Sequence, residues 1–312
     1  MQASASPRPR SAIVTRLRAA GCVFAEDEAR LLIRAARTPT DLAAMVDQRA
    51  AGLPLEHVLG WAEFCGLRIA VDPGVFVPRR RTEFLVHHAA ALAHRAASAH
   101  RAASVQQAGP AGQAVLAQQA AASQAASPAG DAPAGQALAG PRPVVVDLCC
   151  GSGAVGAALL AALDRVELYA VDIDPAAVRC ARRNLAAAGT PVYEGDLYRP
   201  LPATLRGRVD VLVANAPYVP TQAIGLLPPE ARVHEPRVAL DGGADGLDVL
   251  RRVAAAAPLW LAPGGHVLVE TGRRQAPQTV ETVSRAGLIP QVASSEELSA
   301  TVVIGTRPAL PS

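Results

Sequence analysis

The sequence contains no lysine, because all 30 basic residues among its 312 are arginine. Lysine forms Schiff bases, supplies the ammonium group of a Walker A motif and acts as an amine general base. No other side chain offers an amine that can lose its charge near neutral pH. The absence therefore excludes all three classes of enzyme site.

Cysteine and histidine are present without the spacing of a metal site. The seven histidines show neither an HxxxH nor an HExxH pattern, and no CxxC pair occurs among the five cysteines Cys22, Cys65, Cys149, Cys150 and Cys180. An odd number of cysteines without such pairs predicts free thiols and no structural metal. We accordingly expect reduced thiols, as in the cytoplasm, and no metal in the site.

Long apolar runs and strong charge are also missing. No stretch reaches the roughly 18 apolar residues of a membrane span, and the first ten residues lack the apolar region of a secretory signal, which predicts a soluble, cytoplasmic protein. The net charge of +3 is small. Its one dense cluster, Arg79 to Arg81, is as typical of a solvated turn as of a phosphate contact, so charge alone indicates no nucleic-acid partner.

Aromatic residues make up only 3% of the chain, whereas 67 residues are alanine. Alanine buries little surface, so valine and leucine must supply the core.

The pattern of apolar and polar residues divides the chain into four parts. Residues 1–62 read as a helical module, with apolar residues at helical spacing and an N-cap at Thr40. Residues 63–88 read as a β-hairpin connector with a turn at Pro73-Gly74, 89–140 as an Ala/Gln-rich insertion expected to be disordered, and 141–312 as the main domain.

Strands and helices alternate in the main domain, which predicts a doubly wound α/β sheet. The buried apolar runs indicate strands at 144–148, 167–172, 209–214, 265–270, 288–293 and 300–305. Helices are predicted at 154–163, 175–187, 246–261 and 275–286. Ligands of such sheets bind beyond the carboxyl ends of the strands, so the candidate site lies there.

Two signals at strand ends indicate an adenosine-containing cofactor. A GxGxxG sequence at Gly151, Gly153 and Gly156 follows the first strand, where glycines let the backbone turn tightly and approach a ligand. Asp172 ends the second strand and can accept both hydroxyls of a ribose, while Asp174 before Pro175 suits a helix N-cap. These signals do not distinguish NAD from S-adenosylmethionine.

The strand at 209–214 runs into Asn215-Ala216-Pro217-Tyr218, which has the features of a recognition site for a planar NH₂ group. The Asn215 side-chain oxygen and a backbone carbonyl before Pro217 can accept the two hydrogens of such a group, and the Tyr218 ring can cover it. An amide nitrogen is a poor nucleophile, so this alignment toward an S-methyl group would favour attack. The indicated substrate is an amide or a nucleobase amine.

This tetrapeptide resembles the Asn-Pro-Pro-Tyr motif of amino methyltransferases, and its surroundings resemble the HemK/PrmC group of protein N5-glutamine methyltransferases, which modify class I release factors. Dispersed blocks carry the resemblance across the helical module, hairpin and main domain: residues 52–60, 63–67, 77–79, Thr82-Glu83, 234–236, 239–240, 242–243, 245–247, 270–272 and Gln275. It implies a seven-stranded Rossmann-like methyltransferase sheet with a small N-terminal helical domain joined by a β-hairpin.

The resemblance also implies site roles. S-adenosyl-L-methionine would be held by Asp147, Cys149, Cys150, Gly151, Ser152, Gly153, Asp172, Asp196, Leu197 and Asn215. The substrate glutamine would be held by Asn215, Ala216, Pro217 and Tyr218, of which Asn215, Pro217 and Tyr218 would be catalytic. The helical module would help to dock a release factor so that its Gly-Gly-Gln loop enters the site.

Three positions depart from the family pattern. Ala216 replaces a proline, although its carbonyl can still accept a hydrogen bond. Cys149 stands where glycine is common, and we expect it to be tolerated if that residue keeps φ below zero. Arg80 and Arg81 replace Pro-Glu and add positive charge near the predicted site. Alternatives to glutamine methylation are therefore a DNA or RNA amino-methyltransferase and a non-catalytic cofactor-binding adapter; a nicotinamide dehydrogenase is disfavoured because no Tyr-x-x-x-Lys pair can occur.

Overall fold

The N-terminal module is a cluster of four helices in the computed structural model, which describes residues 7–107 and 142–309. The helices are α1 (Pro7–Ala19), α2 (Ala25–Ala35), α3 (Pro39–Ala50) and α4 (Leu55–Leu59). Leu17, Leu32 and Met45 form their small core. The predicted N-cap at Thr40 is wrong: Thr38 caps α3 by accepting a hydrogen bond from the Asp41 N–H at 3.1 Å, which leaves Pro39 in the first turn.

A β-hairpin follows the module, but its turn lies earlier than predicted. Strands β1 (Trp61–Phe64) and β2 (Leu67–Ala70) pair antiparallel. The turn is Cys65-Gly66, with φ of 49° and 72°, which is the left-handed backbone of a tight hairpin turn. The turn expected at Pro73-Gly74 lies beyond β2, and the hairpin occupies only the first part of the predicted 63–88 connector.

Helix α5 (Glu83–Gln107) contradicts the prediction that the low-complexity insertion begins at residue 89. Leu85, Ala89, Leu92 and Ala93 are buried along one face of this helix, which packs on the main sheet. Alanine side chains contribute to that face because their small size lets the helix approach the sheet closely. The rest of the predicted disordered insertion, from residue 108 onward, lies outside the described residues.

The main domain contains the predicted seven-stranded sheet. Its strands are β3 (Val144–Leu148), β4 (Glu167–Asp172), β5 (Val192–Glu194), β6 (Val209–Ala214), β7 (Leu261–Glu270), β8 (Ile289–Ser295) and β9 (Ala300–Thr306). Their order across the sheet is β5-β4-β3-β6-β7-β9-β8, and all neighbours are parallel except β9, which is antiparallel to both β7 and β8. The short strand β5 is the one that the apolar pattern did not locate.

Helices cover both faces of the sheet, which explains why its central strands are apolar throughout. The helices of the main domain are α6 (Ala154–Ala162), α7 (Pro175–Leu185), α8 (Pro229–His234), α9 (Asp248–Trp260) and α10 (Ala276–Arg285). One face packs on α5, α6 and α7, and the other on α9 and α10. Among the helices of the described residues, none combines the length and hydropathy needed to cross a membrane.

The hairpin is attached to the main domain by Asn184 of α7. Its side-chain Oδ1 accepts the Ala70 N–H at 2.9 Å, and its Nδ2 donates to the Ala70 carbonyl at 2.9 Å. The same Nδ2 donates to the Ser152 carbonyl at 2.8 Å, in the loop after β3. One amide side chain therefore joins the hairpin to the edge where β3, β4 and β6 end.

Candidate functional site

A cavity of about 470 Å³ lies at the carboxyl ends of β3, β4 and β6. Every residue predicted to bind cofactor or substrate lines it except Gly153. The loop after β3 and the ends of β4 and β6 form one part of its wall. The connector after the hairpin and the segment from residue 227 to 241 form the rest, so the cavity draws on both halves of the chain.

The loop of residues 149–153 turns sharply between β3 and α6. Cys149, Gly151 and Gly153 have φ of 56°, 55° and 77°, so Cys149 does not meet the condition of a negative φ under which a cysteine is expected to be tolerated there. Glycine adopts this left-handed backbone at little cost, which suits a tight turn between a strand and a helix. Gly153 faces away, since a Cβ on it would lie 3.1 Å from the Cβ of Ala181; it serves the packing of the loop on α7.

Asp147 lies beneath this loop and is 2% exposed. Its Oδ2 accepts the Gly156 N–H at 3.0 Å, which ties β3 to the first turn of α6. Burial raises the pKa of Asp147 to about 7. The hydrogen bond from Gly156 lowers this pKa, whereas the nearby Asp172 carboxylate raises it. The charge of Asp147 therefore changes close to neutral pH.

Asp172 ends β4 and organises the same loop. Its two carboxylate oxygens accept backbone N–H groups of Gly151 at 2.8 Å and Asp174 at 2.9 Å. A carboxylate has about four lone-pair sites, so two remain for a ligand. Burial raises the pKa of Asp172, while these N–H donors oppose that effect. Asp174 caps α7 through a 2.8 Å bond from the Ala176 N–H, as predicted.

Asp196 and Leu197 follow β5 and form the cavity wall beyond Asp172. Leu197 is buried and has a φ of 49°, while Asp196 pairs with Arg252 of α9 at 2.5 Å. An apolar side chain next to an acceptor carboxylate suits the flat face and amino edge of a purine. With Asp172 and the loop amides, these residues fit an adenosine-containing group.

Asn215 stands at the end of β6, and its orientation is set by a neighbour. Its Nδ2 donates to the Thr82 Oγ1 at 3.4 Å, and Thr82 is 2% exposed. Because the amide nitrogen is used in this way, the amide oxygen remains the acceptor for a ligand. Sequence reasoning located Asn215 but not Thr82, which lies 133 residues away along the chain.

The rest of the turn is fixed by close backbone contacts. The Tyr218 carbonyl accepts a 2.9 Å bond from Gln275 Nε2, and the Val219 N–H donates to the Leu240 carbonyl at 3.0 Å. A Cβ on Gly246 would lie 2.3 Å from the Tyr218 carbonyl, so only glycine fits there. Ala216 and Pro217 are both buried within this support, and the replacement of a proline by Ala216 leaves the turn ordered.

Two ion pairs at the cavity connect the halves of the chain, and neither was assigned a role from the sequence. Arg79 pairs with Glu235 at 2.5 Å, and Arg81 pairs with Glu270 at 3.0 Å. Both carboxylates are buried, and burial raises the pKa of Glu235 while Arg79 opposes that effect. The one available signal was Glu270 itself, an acidic residue at the end of a buried apolar strand.

This chain is similar to known methyltransferases. The methyltransferase small domain model matches residues 136–226. The release factor glutamine methyltransferase of Geobacter sulfurreducens is 34% identical over 274 residues, which is 86% of this chain and 79% of the relative. Its counterpart in Mycolicibacterium smegmatis is 34% identical over 278 residues, 88% of this chain and 82% of the relative. An O-methyltransferase family structure from Burkholderia thailandensis is 20% identical, with a TM-score of 0.38, and the match covers 54% of this chain and 51% of that one.

Proposed function

We propose that this chain, which belongs to the release factor glutamine methyltransferase family, transfers a methyl group from S-adenosylmethionine to the side-chain N5 of a glutamine. The proposed substrate is the Gly-Gly-Gln glutamine of a class I release factor. Relatives named release factor glutamine methyltransferase, matched over most of the chain, support this choice. Because translation termination takes place in the cytoplasm, the proposal includes that compartment.

The orientation of Asn215 is the observation that carries the proposal. With its nitrogen bonded to Thr82, its oxygen can accept one hydrogen of the glutamine amide. The carbonyl of Ala216 can accept the other, and the Tyr218 ring forms a wall of the same cavity. Two acceptors hold a planar NH₂ group in one orientation, which reduces the entropy lost on reaching the attacking geometry.

The cofactor is part of the proposal, and the residues of the site fit it. Asp172 would accept the ribose hydroxyls, the loop of residues 149–153 would contact the amino-acid portion, and Asp196 with Leu197 would hold the adenine. Bound there, S-adenosylmethionine supplies an electrophilic methyl group on a sulfonium. The glutamine N5 would gain that methyl group, the sulfonium would leave as a thioether, and N5 would release one of its two protons to solvent as the product departs. The chain's own residues orient the nitrogen and keep water from it.

Mass spectrometry of a release factor treated with the protein tests this proposal. Purified protein is incubated with deuterium-labelled S-adenosylmethionine and a class I release factor, and the labelled methyl group is mapped. We expect it on the Gly-Gly-Gln glutamine. A release factor with glutamate there has no amide nitrogen and should stay unlabelled, and N215A should abolish transfer. N215A should keep cofactor affinity within about tenfold, because one hydrogen bond contributes roughly 1.4 kcal/mol.

Two outcomes would contradict the proposal. Cofactor binding by calorimetry with no labelled glutamine would indicate a non-catalytic adapter. Labelled adenine in duplex DNA, with binding that weakens steeply as salt increases, would indicate a nucleic-acid amino-methyltransferase.

A further inference from the structure

Arg81 and Tyr218 both line the cavity, and Arg81 contacts Tyr218 and the buried Glu270. Its Nε donates to the Glu270 Oε1 at 3.0 Å, and its guanidinium lies 5.7 Å from the centre of the Tyr218 ring. The Tyr218 hydroxyl donates to the same Glu270 oxygen at 3.2 Å. Arg81, Glu270 and Tyr218 therefore form a closed set of contacts, which we call the Arg81 cluster.

Glu270 provides the fixed point of the Arg81 cluster. It ends β7, whose register pairs Val269 with Ala214, the residue before Asn215. Its side chain is 2% exposed, and its second oxygen has no hydrogen-bond partner among the described residues. A buried carboxylate is costly unless a cation compensates it, and Arg81 is the cation bonded to it. Arg81 therefore compensates the Glu270 carboxylate, whose Oε1 also accepts the tyrosine hydroxyl.

Arg81 is itself placed by the residue that follows it. Thr82 is buried and accepts the hydrogen bond from Asn215. Consecutive residues of the connector thus contact both ends of the turn at 215–218: Thr82 contacts Asn215, and Arg81 lies over Tyr218. The guanidinium is within the range of a cation–π contact, which favours one position of the ring.

We propose that Arg81 is a positioning residue for methyl transfer, which fixes the Tyr218 ring against the substrate amide directly and through Glu270. The inference rests on the proposed function, because it assumes that Tyr218 borders the reacting amide. Arg81 need not contact the substrate for this role. Its loss should lower kcat more than it changes cofactor binding, because small misplacements of an aligned group slow a reaction strongly.

The test compares R81M with R80M, which makes the same charge change one residue earlier. Arg80 is exposed and forms no ion pair among the described residues, so it is a matched control. The chain has only four tyrosines, so 3-fluorotyrosine labelling gives a simple fluorine NMR spectrum in which Y218F identifies the Tyr218 signal. We expect R81M to shift or broaden that signal and to lower kcat about tenfold or more, with cofactor Kd within about twofold. R80M should do neither.

The double variant R81M/E270Q separates positioning from neutralisation of a buried charge, and it remains usable if R81M alone fails to fold. Glutamine removes the unpaired carboxylate and can still accept the tyrosine hydroxyl. We expect thermal stability to return to near the wild-type value while kcat stays low and the Tyr218 signal stays displaced. If kcat and the Tyr218 signal of the double variant both returned to their wild-type values, the proposal would be overturned. An unchanged Tyr218 signal in R81M would overturn it as well. If no release factor is methylated by the wild type, the proposed function fails, while the NMR measurement still decides whether Arg81 positions the ring.

Discussion

Cys149 occupies a backbone conformation that favours glycine. Its φ of 56° costs a residue with a Cβ roughly 1–2 kcal/mol, and glycine avoids that cost. We expect C149G to be more stable than C149A by about 1 kcal/mol, because both variants lose the thiol and only alanine keeps the strain. Urea unfolding of the two variants measures the difference. Equal stability, or a more stable alanine variant, would show that the loop relaxes to negative φ.

Asp147 should make folding stability depend on pH. Its pKa is raised to about 7 by burial, whereas in the unfolded chain it titrates near about 4. Between these values the folded state keeps a proton that the unfolded state has lost, so stability falls as pH rises by about 1 kcal/mol per pH unit.

The variant D147N should remove this dependence, because asparagine is neutral and its oxygen can accept the Gly156 N–H. We expect D147N to gain stability over the wild type between pH 5 and pH 8, measured by urea unfolding without cofactor. Other buried carboxylates contribute equally to the stability of both proteins, so their contributions cancel in the difference between D147N and the wild type. A constant difference across this range would mean that Asp147 is already ionised at pH 5.

The residues that could be predicted from the sequence are those whose own strand places them at the site. Asp172 and Asn215 each end a buried apolar run, and parallel strands bring those ends together. Arg81 and Thr82 could not be assigned in this way. Arg81 meets Glu270 across 189 residues of chain, and a contact of that kind depends on how the connector returns to the sheet, which local pattern does not specify.

At the scale of secondary-structure elements, two predictions were wrong, the position of the hairpin turn and the extent of helix α5, and both errors came from local sequence composition. The hairpin turn was assigned to Pro73-Gly74, a strong turn sequence, because Cys65 is an unusual residue for the positive φ that the real turn requires. Residues 89–107 of α5 fall in the predicted insertion because their many alanines suggest low complexity. Their spacing with Leu85 and Leu92 puts them on one buried face, so periodicity was the better guide than composition.

Asn184 shows how one side chain can couple the hairpin to the loop after β3. It forms hydrogen bonds with the backbone N–H and carbonyl of Ala70 and with the Ser152 carbonyl. The variant N184A should cost about 2 kcal/mol or more, because the Ala70 N–H and the Ser152 carbonyl lose this partner. The Ala70 carbonyl keeps the Cys180 thiol as a donor at 3.0 Å. It should also weaken cofactor binding by loosening the loop of residues 149–153. Urea unfolding and calorimetry measure the two effects, and a loss below about 0.5 kcal/mol would show that water replaces the amide.

Across the whole molecule, the N-terminal half contributes directly to the candidate site. Arg49 of α3 pairs with Glu230 of α8 at 2.6 Å, in the segment that lines the cavity. Arg79 and Arg81 reach Glu235 and Glu270 of the main domain. Each contact pairs an arginine from before α5 with a carboxylate from the main domain. The connector and the sheet therefore build one site, and the helical module contacts that site through Glu230.

Arg49 allows a test of whether its pair with Glu28 inside the helical module or its pair with Glu230 of α8 contributes more to stability. Its bond to Glu28 is buried, with side chains 6% and 10% exposed, whereas Glu230 is 46% exposed. R49M leaves the Glu28 charge buried and unpaired, and we expect it to cost about 3 kcal/mol or more, while E230Q should cost less than about 1 kcal/mol because that pair is screened by water. R49M/E28Q should recover most of the loss, since it removes both charges. Urea unfolding of the three variants measures these values, and an E230Q variant as unstable as R49M would mean that the contact with α8, rather than the pair inside the module, holds Arg49 in place.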